Sequence, residues 1–205
     1  MHGAFASHPP DGTPFEAGGP APVPAMFGNR VETARLGIRL GLLSLAMLFL
    51  GLIGAFVVQR AGTAEWPPAG VKLNLPLGAI NTAVLVGSSL ALAAALRSAR
   101  RGEAEGSRVG ILLGGGLALV FLGLQALQYY WLIRNFGQTL GSSQFGTYFY
   151  SLTGLHGLHL LVGVIWLVCL MAARRPQALA VEICGTYWHF VTLIWGALFV
   201  ILYLI

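Results

Sequence analysis

Residues 146–173 read GTYFYSLTGLHGLHLLVGVIWLVCLMAA, a run without a single Asp, Glu, Lys or Arg. At about 1.5 Å per residue, about 20 such residues cross a hydrocarbon layer about 30 Å thick, so this stretch specifies a membrane-spanning helix. Working outward, the same rule finds four more apolar runs, near 35–59, 74–97, 109–133 and 179–204. Each break between them holds residues that lipid rejects or that end helices. Arg60, Trp66, Pro67, Pro68 and Gly70 part the first run from the second, and Arg97, Arg100, Arg101, Gly102, Glu103, Glu105 and Arg108 part the second from the third. Arg134, Asn135, Gly137, Gly141, Ser142 and Ser143 form the next break, and Arg174, Arg175 and Pro176 the last. The expected fold is all-α and integral to the membrane, with five transmembrane helices. A chain that is 56% hydrophobic and only 9% charged has too little polar surface to coat a soluble globule.

Residues 1–29 are of another kind. They hold Pro9, Pro10, Pro14, Pro20, Pro22 and Pro24 among scattered Gly and Ala, and they are expected to form a disordered arm with no secretory signal. Cations sort by side. Arg30, Arg35, Arg39, Arg97, Arg100, Arg101, Arg108, Arg174 and Arg175 fall on the side of the N-terminus, against Arg60, Lys72 and Arg134 on the other. The positive-inside rule then puts the N-terminus in the cytoplasm and the C-terminus in the periplasm, in a bacterial cytoplasmic membrane. The net charge of +5 is explained by these loops, with no nucleic acid implied. Cys169 and Cys184 sit inside apolar runs without metal-ligand spacing. Gly37 with Gly41, and Gly110 with Gly114, have the four-residue spacing that lets helices approach closely.

Ionisable groups at membrane depth are costly and often mark function. Glu182 is the one acid inside a predicted span, and His156, His159 and His189 are the histidines there. The spacing puts His156 with His159 on one helix face and Glu182 with His189 on another, and counting from the helix ends lets His159 and His189 meet near mid-bilayer. A polar seam between the fourth and fifth helices is expected, built from His156, His159, Glu182, Tyr187, Trp188 and His189. Three readings of it stand open: hydrogen bonds that hold two helices in register, a headgroup or proton-conducting water site with Arg174 and Arg175, and axial ligation of a haem. Arg97 and Arg100 join Arg174 and Arg175 as candidates to hold lipid headgroups. Paired carboxylates, a Ser/His/Asp set, a phosphate loop and a Cys-rich metal motif are all missing, so no catalytic centre and no metal site are expected in this chain.

Thr153-Gly154-Leu155-His156-Gly157-Leu158-His159, followed by Gly163, and Glu182 followed by Tyr187-Trp188-His189-Phe190 carry a resemblance. Ser44, Met47, Phe49, Trp66-Pro67-Pro68, Leu73-Asn74-Leu75-Pro76, Asn81-Thr82, Ser88-Ser89, Gln125 and Tyr129 support it. The chain resembles subunit III of haem-copper terminal oxidases, in the five-helix bacterial form, over roughly residues 33–205. That resemblance implies a non-catalytic subunit packed on subunit I, with subunit II and other oxidase subunits as further partners. Haem and copper would lie in the partners, and phospholipid in a cleft between the first two helices and the last three. The complex would reduce dioxygen to water and pump protons, drawing electrons from cytochrome c or quinol. Leu45, Gln128 and Thr192 stand where the family usually carries acids, which marks a divergent branch. A protein associated with nitric oxide reductase, or a haem-binding membrane anchor, are the alternatives.

Overall fold

The computed structural model describes residues 30–64, 66–172 and 177–204, with Arg30 in its backbone alone. Five helices carry the fold: α1 (Arg30–Ala61), α2 (Leu75–Arg100), α3 (Ala104–Phe136), α4 (Gln144–Ala172) and α5 (Ala178–Phe199). A π-helical turn, Val200–Leu204, extends the last of them. All five are long and apolar enough to span a membrane. The expected arm at 1–29 and the cations Arg174 and Arg175 lie outside the described residues.

Local chemistry sets where the helices begin and end. The Asn74 side chain accepts the Leu77 N–H at 3.1 Å and Pro76 follows in the first turn, so α2 starts with one orphan donor satisfied and one removed. Ser143 Oγ accepts the Gly146 N–H at 3.0 Å and opens α4 in the same way. At the end of α3, Gly137 adopts φ 61° and returns its N–H to the Ile133 carbonyl, a left-handed cap that a side chain would strain. α1 and α3 run 32 and 33 residues, beyond the hydrophobic stretches that identify them. Charged residues are excellent helix formers, so Glu32, Arg35, Glu105 and Arg134 lengthen the helices past the lipid boundary.

α2 and α3 form the closest pair, α5 packs on α2 and α4, α3 on α4, and α1 lies against α5 and α4. Glycine explains the first contact. A Cβ at Gly110 would stand 2.7 Å from the Ala95 Cβ and 2.9 Å from the Ala91 carbonyl oxygen, and one at Gly114 would stand 2.9 Å from Leu92. Gly37 and Gly41, which share the same spacing, have no neighbour within 4 Å, so the expected close approach is made by only one of the two pairs. Spacing alone does not say which way a face is turned.

The first two helices do not stand apart as a unit, which corrects the expected cleft. α2 is built into the core through the buried Leu85, Ser88, Leu92 and Ala95, while α1 is peripheral and buries Leu45, Phe49 and Phe56. The groove that does exist runs between α1 and the α4–α5 face, holds about 540 Å³, and is lined by Gly41, Leu45, Leu48, His159, Trp166 and Tyr187 among others.

Candidate functional site

Polar side chains inside an apolar bundle seek each other because lipid offers no partner. On α5, Trp188 Nε1 donates to Ser88 Oγ at 3.0 Å, and Ser88 Oγ donates in turn to the Gly114 carbonyl at 2.7 Å. Two turns further along α5, Trp195 Nε1 donates to Thr82 Oγ1 at 3.0 Å. His189 Nδ1 shares a hydrogen bond with Ser89 Oγ. Most of the polar links of α5 are therefore made with α2, a partner the spacing did not indicate. Ser88, Ser89 and Thr82 supply three small hydroxyls along one side of α2, and indole and imidazole N–H groups can reach them over a short gap.

Between α4 and α5 one polar link stands in that predicted seam: the Tyr187 hydroxyl donates to the His159 carbonyl at 2.8 Å. His159 turns its Nδ1 to its own helix, donating to the Leu155 carbonyl at 2.8 Å, and sets its ring edge-on to Phe49. His156 is fully buried among Phe49, Phe121 and Trp195, with ring centroids 6.4, 5.8 and 5.1 Å away and no hydrogen-bond partner for either nitrogen. The three histidines thus face an aromatic box, their own helix and α2. Among the described residues no three His, Cys, Asp or Glu groups converge.

A second polar cluster joins α2, α3 and α4 nearer the other end. Asn81 Nδ2 donates to Gln125 Oε1 at 3.1 Å, and the Tyr129 hydroxyl lies 2.7 Å from Thr153 Oγ1. Of the three positions at which the resemblance implies acids, Leu45 is core, Thr192 donates to the Trp188 carbonyl at 2.9 Å, and Gln128 is buried with its amide unpartnered. None of these can ionise, which spares the bundle the cost of a charge in lipid.

Glu182 sits in the first two turns of α5 and receives two arginines. Arg35 of α1 reaches its Oε1 at 2.9 Å and Arg100 of α2 its Oε2 at 3.0 Å. One carboxylate so ties three helix ends together. Arg100, a candidate for lipid headgroups, is committed to this clamp, whereas Arg97 is exposed one turn back on α2. Beside the clamp a cleft of about 290 Å³ is lined by Arg35, Ile38, Arg39, Glu182, Ile183 and Thr186, and Ile38 also lines the α1–α4 groove. The charged cleft and the apolar groove thereby adjoin at Ile38. Arg35, Arg39 and the α2 hydroxyls are the site residues that spacing did not single out. Polar residues in the otherwise apolar α2 were the signal for the hydroxyls. No signal in the sequence joins Arg35 to Glu182, which lie far apart in the chain.

The family model for cytochrome c oxidase subunit III matches residues 26–205. Over 184 residues the chain is 34% identical to the probable cytochrome c oxidase subunit 3 of Nocardia farcinica, covering 86% of this chain and 90% of that relative. It is 36% identical to the probable cytochrome c oxidase subunit 3 of Mycobacterium leprae with the same coverage. The cytochrome c oxidase subunit 3 of Thermostichus vulcanus is 32% identical, over 83% of this chain and 86% of the relative. With five spanning helices, the signature segments on α4 and α5, and relatives matched along most of their length, the chain belongs to the cytochrome c oxidase subunit III family.

Proposed function

We propose that this chain is the bracing subunit of a respiratory haem-copper oxidase in the bacterial cytoplasmic membrane, with its N-terminus in the cytoplasm. Family membership makes it one part of a complex with other oxidase subunits. The finer reading is that it packs on subunit I, beside subunit II, holds phospholipid, and stabilises the O2-reducing, proton-pumping unit while haem and copper reside in its partners. The observation that carries this reading is the interior itself. It is held by hydrogen bonds between uncharged side chains, while Glu182 is spent on a clamp at the helix ends. Such an arrangement holds helices in register.

Lipid is assigned to the α1–α4 groove, with the headgroup at Arg39 beside the Arg35–Glu182 clamp and with Arg97, Arg174 and Arg175 as further candidate cations. Anionic headgroups gain about 1 kcal/mol per nearby cation, and the groove accepts an acyl chain without exposing it to water. Orientation follows the excess of arginines on the side of the N-terminus.

Purification through a tag on this chain tests the assignment. A large subunit with haem absorbance is expected to come down with it, and the chain stripped of companions is expected to be colourless. Recovery of the chain alone and in bulk from its own membranes would end the reading. Replacing Glu182 by Ala releases Arg35 and Arg100, and is expected to cost the bundle about 1 kcal/mol, because those arginines are 45% and 60% exposed and water screens them. The same variant should loosen docking while the haem spectrum of the complex stays unchanged. A shifted haem spectrum would contradict a subunit remote from the redox centres.

A further inference from the structure

All the ion pairs among the described residues, Arg35–Glu182, Arg100–Glu182 and Arg101–Glu103, lie at one end of the bundle. The opposite end has cations and no described carboxylate to meet them. Two of these, Arg60 at the end of α1 and Lys72 just before α2, line one cavity of about 420 Å³. Its remaining walls are apolar or aromatic: Trp66, Leu73, Phe145 and Tyr203 are among them. Trp66 is held in place edge-on to Phe56 and Phe145, at 5.4 and 5.6 Å between ring centroids, so that wall is rigid.

A volume in this range is that of ligand pockets, which commonly hold about 300–1,000 Å³. Two cations over an apolar floor at the level of the helix ends match a molecule that carries a negative headgroup above a hydrocarbon tail. The Trp ring suits the same depth, since tryptophan prefers the boundary between hydrocarbon and headgroups. A wholly soluble anion would gain nothing from Leu73, Phe145 or the apolar helix ends.

We propose that this cavity binds the phosphate of an anionic phospholipid from the leaflet at that end, with Arg60 and Lys72 as the paired cations and Trp66 and Phe145 bounding the glycerol and upper acyl region. The site is separate from the Arg35–Arg39 cleft at the other end, and it rests on the five-helix fold without depending on the oxidase assignment.

Native mass spectrometry of the full chain from phosphatidylcholine nanodiscs, with phosphatidylglycerol added in steps, measures it. The wild-type chain should retain phosphatidylglycerol in preference to phosphatidylcholine. The double variant Arg60→Gln, Lys72→Gln should weaken that retention by roughly tenfold to thirtyfold, at an unchanged unfolding midpoint, and Arg60→Lys should restore most of what Arg60→Gln loses. Arg134→Gln, at the same end but outside the cavity, should leave it intact. Equal loss with Arg134→Gln, or no loss with the double variant, overturns the proposal. Displacement of phosphatidylglycerol by inorganic phosphate would make this a free-anion site and overturn the lipid assignment. Glu65, in the same loop, lies outside the described residues.

Discussion

Replacing Trp188 by Ala is expected to lower the stability of the bundle by about 3 kcal/mol, the low end of the range for emptying a tryptophan site, because lipid in place of water removes most of the transfer contribution. Trp188 is fully buried and serves three helices at once. Its Nε1 holds Ser88 of α2, Ser88 in turn holds the Gly114 carbonyl of α3, and its ring lies on bare backbone of α4. A Cβ at Gly163 would stand 2.7 Å from that ring, so the glycine is the seat into which the indole fits. Trp188→Phe keeps much of the ring and gives up the N–H, and should cost about 1 kcal/mol, the scale of one hydrogen bond between helices. Reversible unfolding of the purified chain in bicelles separates the two. Equal costs for both variants would show that the hydrogen bond, and not the packing, carries the contribution of this residue.

The second large effect pits two glycines of similar sequence context against each other. Gly110→Ala is expected to destabilise the α2–α3 pair by about 2 kcal/mol, since the new methyl meets the Ala95 side chain and the Ala91 backbone, and backbone cannot step aside. Gly37→Ala meets nothing within 4 Å and should stabilise α1 by about 0.5–1 kcal/mol through helix propensity alone. The same measurement reads both. A Gly37→Ala chain as destabilised as Gly110→Ala would mean that α1 packs through this face within the chain, contrary to the structure.

The clamp and the polar contacts divide the work between ends and middle. Charges are placed where water and headgroups reach them, as at Glu182 with Arg35 and Arg100 or Arg101 with Glu103. Arg101 donates to the Glu103 carboxylate and holds it below the usual carboxylate range, a surface effect on the turn between α2 and α3. The middle uses hydroxyls, amides and indoles. A bundle arranged this way keeps its shape in lipid without paying to bury a charge.

Much of this was legible in the chain before any coordinates. Five spans follow from hydropathy and from the Pro, Gly and Arg breaks, because lipid obliges every backbone amide to pair within its own helix. The signature around His156 and His159 and around Tyr187, Trp188 and His189 pointed to the family that the comparisons establish. Glu182 was singled out by its cost in lipid; it stands at the helix ends, paired with Arg35 and Arg100.

Which helix meets which was not legible. Position along a helix determines depth and face only relative to its neighbours on the same helix. The rotation of each helix about its axis, and its order around the bundle, depend on how side chains of distant segments fit together. Only that fit turned His189 to Ser89, closed α2 on Gly110 and Gly114 while leaving Gly37 and Gly41 uncovered, and brought Arg35 to Glu182. One-dimensional periodicity carries depth because the bilayer is a one-dimensional solvent gradient; it carries no azimuth, because lipid is the same on every side.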